Sequence, residues 1–156
     1  MALNMNFNRF SNYDKKERLK KQIKIIVFHY TGMQSKVEAF KKLYNPQSKV
    51  SCHYFIDEIG NIIKIVPEKF LAWHAGKSGW KNFKFINKFS IGIELVNPGH
   101  DFGYRKFSKK QIHTLKKISK KLIAKYNIIG SNIVGHSDIA PLRKKDPGEK
   151  FPWKEL

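Results

Sequence analysis

The sequence predicts a single α/β domain, and three observations predict it. The chain has 156 residues of which 41% are hydrophobic, enough for one core that buries roughly 68 to 70% of the surface exposed by the unfolded chain. An apolar, β-rich run over residues 23–29 is followed by a segment of helical spacing, which makes a strand–helix pair. A second helical segment, opened by Ser108, carries an apolar stripe along its whole length.

Taken in order, residues 1–22 hold Arg9, Lys15, Lys16, Arg18, Lys20 and Lys21 with little apolar periodicity. They read as a basic N-terminal arm or frayed helix, which leaves 23–156 as the body of the domain. Residues 23–29 read as a buried strand. Ser35 and Glu38 have capping-box spacing, and Val37, Phe40, Leu43 and Tyr44 recur at helical spacing until Asn45-Pro46 ends the element. Residues 52–57 and 62–66 are short β-rich runs, and the turn chemistry of Glu58-Ile59-Gly60-Asn61 between them predicts a hairpin. Residues 69–87, rich in Gly, Trp and Phe, have no clean period and read as a long ordered loop of the kind that often carries function. Residues 90–96 alternate, which puts Ile91, Ile93 and Leu95 on one face and Gly92, Glu94 and Val96 on the other. The helix from Ser108 has Phe107 as a staple, Gln111 closing a capping box, and Ile112, Leu115, Ile118, Leu122, Ile123 and Tyr126 as its stripe. A short strand at 133–135 precedes a polar, proline-containing tail over 136–156.

The 31 basic against 12 acidic residues leave a net charge of +19. Nucleic acid, anionic lipid and an acidic polymer such as a cell wall are the partner classes this charge suits. Of the basic residues 27 are Lys and four are Arg, whereas base-edge reading favours the planar guanidinium, so sequence-specific nucleic-acid recognition is disfavoured. One cysteine, Cys52, forms neither an internal disulfide nor a C-x-x-C knuckle. No stretch reaches the ~18 apolar residues of a membrane span, and no apolar h-region follows the charges of residues 1–24. A chain free of membrane spans is expected, with a monomer assumed.

Acids are scarce, so their positions carry information. Glu94 in the middle of a strand is costly to bury unless it meets a cation, a donor or water; it either faces solvent from an edge strand or points into a polar site. His29 ends the first strand, His136 follows another, and Asp146 lies ten positions later. Two imidazoles and a carboxylate make a three-ligand zinc set with a fourth position open, although no local H-E-x-x-H pattern backs the spacing. Lys144 could bring a cation to the same centre or be one more solvated lysine. His100 and His113 read as surface residues. Cys52 and His53 are strand neighbours on opposite faces, which argues against a thiol nucleophile. Trp73 and His74 fall in the functional-looking loop, where a tryptophan serves either as a core anchor or as a platform for sugar rings.

The stretches Phe28-His-Tyr-Thr-Gly32, Ala72-Trp-His-Ala-Gly76, Ser90-Ile-Gly-Ile-Glu-Leu95 and Gly135-His-Ser-Asp-Ile-Ala-Pro141, followed by Arg143-Lys144 and Asp146-Pro-Gly148, together resemble the type 2 zinc-dependent N-acetylmuramoyl-L-alanine amidases. That family also includes phage lysozyme-like amidases and peptidoglycan recognition proteins. Val66-Pro-Glu68, the Trp-His-Ala-Gly loop and Phe151-Pro-Trp153 make the broad-specificity Gram-negative envelope amidases the nearest likeness. The resemblance implies a central mixed β-sheet flanked by helices, and one Zn2+ held by His29, His136 and Asp146. It also implies Glu94 as general base, Lys144 steadying the oxyanion, and Trp73 and His74 on the substrate side of the groove. The implied reaction cuts the amide between N-acetylmuramic acid, including 1,6-anhydro forms, and L-alanine of peptidoglycan or a muropeptide. Wall hydrolysis would place the protein in the cell envelope and fragment recycling in the cytoplasm. A non-catalytic peptidoglycan-binding module of the same fold, and a basic protein of nucleic-acid or lipid surfaces, are the alternatives.

Overall fold

A computed structural model describes residues 10–156; residues 1–9, with Arg9 of the expected basic arm, lie outside the described residues. The elements are β1 (Tyr13–Asp14), β2 (Ile25–Tyr30), α1 (Lys36–Tyr44), β3 (Tyr54–Ile56), β4 (Ile62–Lys64), β5 (Leu71–Ala72), β6 (Gly79–Trp80), β7 (Phe83–Lys84), β8 (Ser90–Leu95), α2 (Lys109–Tyr126), β9 (Ile133–Gly135) and α3 (His136–Ile139). Five strands form the main sheet in the order β4-β3-β8-β2-β9. The β3–β4 hairpin is antiparallel and every other pairing in this sheet is parallel.

Both faces of the sheet are covered, which is why β2 is a nearly unbroken apolar run. Ile26 and Phe28 of β2 join Ile91, Ile93 and Leu95 of β8 against Ile112, Leu115, Leu122 and Tyr126 of α2. On the opposite face Ile25 and Val27 pack with Ala75, Ile86, Val134 and Ile139. The two-residue period of β8 therefore sends Ser90, Gly92 and Glu94 away from α2. Because β8 is the central strand, the edge-strand alternative for Glu94 does not apply.

Local sequence signals account for the helix ends. Ser108 and Gln111 cap α2 reciprocally, each side chain accepting from the other's backbone N–H at 3.1 Å. Asn127 leaves the helix in the left-handed conformation at φ 52°. In α1, Ser35 Oγ accepts from the Glu38 N–H at 3.2 Å. The buried side of α1 carries Leu43, Phe40 and Tyr44 as expected, but Val37 is exposed and Ala39 is buried in its place. Tertiary packing fixes that face, since Phe40 meets Phe55 and Tyr44 meets Phe10, each ring pair at 4.5 Å. Gly60 takes φ 86° in the hairpin turn, where a Cβ would sit 2.8 Å from the Lys110 carbonyl.

Two stretches carry more regular structure than expected. Residues 69–87 contain β5 and the β6–β7 hairpin. Residues 10–22, placed in the arm by their charge, lie on the domain: Phe10 is buried, β1 pairs with β5, and Asn12 Nδ2 donates to the Asn45 and Val50 carbonyls. Arg18 reaches inward, its guanidinium donating to the carbonyls of Glu68, Asn87 and Ser90 at 2.8–3.0 Å. Burial lowers its pKa to about 10, which keeps it charged at neutral pH.

Glu68 is a second buried ionic post. Tyr54 and Tyr126 hydroxyls and Lys125 Nζ donate to its carboxylate, the last at 2.6 Å. Burial alone would push this carboxyl up, but those bonds and the charge of Lys64 outweigh it and hold it at about 2, against an ordinary 4.5. A depressed carboxyl adds stability above the ordinary value and loses it as pH falls toward the folded-state value. With its lysine partners screened by solvent, the contribution is on the order of 2 kcal/mol. Urea midpoints followed between about pH 6 and about pH 2 are expected to fall steeply for the native chain and less steeply for Glu68→Gln; equal slopes would remove Glu68 from the acid transition.

Candidate metal centre and active site

Parallel pairing brings the chemistry to one edge of the sheet. His29 and Glu94 are register partners, each one residue from the carboxyl end of its strand. Gly135, the last residue of β9, pairs with Phe28, so His136 emerges beside His29. Carboxyl ends of parallel strands are where α/β folds place ligands. Asp146 arrives in the segment after α3, tied down where its backbone carbonyl accepts from the Ser137 N–H at 2.9 Å.

His29, His136 and Asp146 form a buried group that could hold a metal ion. The two Nδ1 atoms are 3.0 Å apart, and Asp146 Oδ2 lies 2.9 Å from that of His29 and 3.1 Å from that of His136. Burial, and then the neighbouring His136, push the His29 imidazole down to about 4, so at neutral pH it is the uncharged ring that ligates metals. His136 Nε2 faces the Ala75 carbonyl at 3.1 Å; a carbonyl only accepts, so a ring with one proton carries it on Nε2 and leaves Nδ1 bare. A bare imidazole nitrogen facing a carboxylate oxygen and a second imidazole is an arrangement that one cation at their centre satisfies. The donor set fits a metal.

The group opens on a cavity of about 390 Å³, which Glu94, Lys144 and Trp73 also line. Oε2 of Glu94 is buried without a hydrogen-bond partner among the described residues. Burial first, and then the charge of Asp146, push its carboxyl well above the ordinary range, while Lys42 and Lys144 pull the other way. Five of the proposed site residues thus share one cavity with Trp73. His74 also borders it, but its ring nitrogens are engaged within the protein, Nδ1 3.0 Å from His29 Nε2 and Nε2 3.0 Å from Ser90 Oγ.

Several wall residues were not singled out by sequence. His100, expected to be solvated, lines the cavity with its Nδ1 2.9 Å from the Tyr30 hydroxyl and its Nε2 2.9 Å from Glu149. Its ring stacks on Tyr104 at 4.4 Å. Arg143 donates to the Ala75 and Lys77 carbonyls at 2.8 and 2.9 Å, locking the loop that holds His74. Lys42 adds a cation from α1. The one signal available for Ser90 was its spacing, four residues before Glu94 on the same face. His113 is exposed, and Cys52 is buried with its thiol pushed up by burial and then by Glu94, unsuited to nucleophilic work. No helix among the described residues is long and apolar enough to cross a membrane.

Comparison with known proteins agrees with this geometry. A family model described as N-acetylmuramoyl-L-alanine amidase matches residues 19–149. N-acetylmuramoyl-L-alanine amidase AmiD of Escherichia coli K12 is 40% identical over 147 residues, covering 86% of this chain and 52% of that protein. The 1,6-anhydro-N-acetylmuramyl-L-alanine amidase AmpD of Salmonella typhimurium SL1344 is 42% identical over 105 residues, covering 67% of this chain and 54% of its own. The chain therefore spans about half the length of these curated relatives. Among solved structures, AmiD from E. coli in complex with anhydro-N-acetylmuramic acid-L-Ala-D-gamma-Glu-L-Lys superimposes with a TM-score of 0.80 at 37% identity, over 91% of this chain and 59% of that one.

Proposed function

The chain belongs to the N-acetylmuramoyl-L-alanine amidase family, and on that premise we propose that it is a zinc hydrolase of the amide joining N-acetylmuramic acid to L-alanine in peptidoglycan or its fragments. The 1,6-anhydro form is included, since the solved relative binds an anhydro-muropeptide. The observation that carries this reading is the His29–His136–Asp146 group in one cavity with the unpaired Oε2 of Glu94. Two imidazole nitrogens and a carboxylate oxygen are a set that suits zinc and leaves a tetrahedral position open. When bound, zinc supplies Lewis acidity, lowering the pKa of a water toward ~7 and polarising a carbonyl.

The remaining chemistry belongs to this chain's side chains. Glu94 takes the proton of the attacking water on its carboxylate and delivers it to the departing L-alanine nitrogen, which leaves as an amine only when protonated. A carboxyl pushed upward by burial is suited to both halves of that transfer. Lys144 places its ammonium against the oxyanion that develops on the muramoyl carbonyl. Lys42, Arg143 and Lys145 on the cavity wall suit a stem peptide, whose free carboxylates are anionic. The proposed catalytic domain is residues 23–156 with residues 10–22 packed onto it, and likeness to envelope amidases supports a place in the cell envelope, with fragment recycling in the cytoplasm as the alternative that fractionation separates.

Mass spectrometry of products from defined muropeptides, run with zinc, with a chelator and with zinc restored, tests the reading. The expected result is release of an L-alanine-headed peptide that stops on chelation and returns with zinc. Peptide and sugar that stay joined in every condition despite bound metal would instead make the protein a binding module.

A further inference from the structure

Both imidazoles of the metal group are held at their far nitrogens by one loop, residues 72–76. For His136 the far partner is the Ala75 carbonyl, which settles the proton on Nε2. For His29 it is His74, a ring that can give or accept a proton, so the direction has to be set one step further out. Ser90 sets it. Its hydroxyl has one proton and donates it to the Ile86 carbonyl at 2.7 Å. Toward His74 Nε2, at 3.0 Å, Ser90 Oγ is therefore an acceptor. His74 then carries its proton on Nε2, leaves Nδ1 bare, and accepts the Nε2–H of His29. That order leaves the lone pair of His29 Nδ1 facing His136 and Asp146.

We propose that His74 is a positioning residue of the metal centre: backed by Ser90, it fixes the proton of His29 on Nε2 and so presents Nδ1 to the metal. The inference rests on the metal-hydrolase reading above. It assigns His74, expected to line the substrate groove, to the ring behind a ligand, with no polar ring atom left for a substrate. It also explains Gly92, where a Cβ would lie 2.4 to 2.7 Å from the His74 ring; glycine is the residue that lets the ring sit over β8. Asn87 Oδ1 accepts from the backbone N–H groups of both His74 and Ala75, at 3.2 and 2.8 Å. His53 packs edge-on against the His74 ring, with centroids 5.8 Å apart, and its Nδ1 accepts from the Gly92 N–H at 3.0 Å. A ring held from this many sides can dictate a tautomer, and outer partners of metal-bound histidine do so generally.

Two measurements test the role without reading turnover: zinc affinity by chelator competition, and imidazole 1H–15N correlation spectra of the full chain. His74→Leu, which removes the acceptor and keeps apolar bulk, is expected to weaken zinc binding about 10- to 100-fold. His74→Asn, whose Oδ1 can accept the His29 Nε2–H, should recover most of that loss. Ser90→Ala should weaken binding by a smaller factor in the same direction, and it serves if His74→Leu does not fold. The spectra should place the protons of His29 and His74 on Nε2. Native affinity in a folded His74→Leu, or in Ser90→Ala where His74→Leu does not fold, or a His74 proton on Nδ1, overturns the proposal. His136→Ala separates the two levels: if it too leaves zinc binding intact, the metal group itself is misassigned, whereas loss of zinc there with native affinity in His74→Leu removes only the positioning role.

Discussion

Glu94→Gln lowers kcat by about 10²- to 10⁴-fold while the bound metal stays at its native level; this is the expected result for the residue proposed as general base. The substitution keeps the shape of the side chain and removes its capacity to hold and release a proton. Burying a carboxyl without a partner is costly, and Oε2 of Glu94 has none among the described residues. Its neighbours make matters worse for the charged form, with burial and then Asp146 pushing its pKa up. A fold that tolerates this at the centre of its main sheet gives up stability at a position facing the metal group, as functional sites do. Steady-state kinetics beside metal analysis check it, and full turnover by the Gln variant would end the assigned role.

Asp146→Ala is expected to lose the metal, and with it activity by a factor on the order of 10³ or more, since Lewis-acid stabilisation of a transition state is worth several kcal/mol. Oδ2 of Asp146 is the one anionic donor in the group and faces both Nδ1 atoms, at 2.9 and 3.1 Å. Without it, two imidazoles and no anionic donor remain to hold a dication. The backbone bond from Ser137 N–H to the Asp146 carbonyl does not depend on the side chain, so the segment should keep its path. Elemental analysis after dialysis, with thermal unfolding to confirm the fold, measures this. Native metal content in a folded Asp146→Ala protein would exclude the residue from the ligand set.

Legibility in the sequence followed the range of the interactions. The caps at Ser35 and Ser108, the stop at Asn45-Pro46, the turn at Gly60 and the alternation of residues 90–96 all depend on contacts within a few residues, and all could be read. The face of α1 was legible at Phe40, Leu43 and Tyr44 but not in its first turn: Val37 fits the helical period as well as Ala39 does, and the choice fell to contacts with Phe10 and Phe55, which are remote in the chain. Residues 10–22 were misleading because their charge suggests solvent. Arg18 is spent instead on backbone carbonyls of residues 68–90, bonds that span 50 to 72 positions. His100 looked like a loop histidine, and only folding set it between Tyr30 and Glu149.

By itself the sequence determined the α/β class, the strand that carries Glu94, the face on which that residue lies, and, through motif resemblance, which histidines and aspartate to suspect. Tertiary structure alone decided that they meet. His29 touches His136 across 107 positions and Asp146 across 117, and no local periodicity encodes such an approach. It depends on β8, β2 and β9 lying side by side in parallel, so that their carboxyl ends share one edge. The proton order behind His29 is of the same kind, because a hydrogen-bond direction exists only once Ile86, Ser90, His74 and His29 are within 3 Å of one another in sequence along the chain of donors.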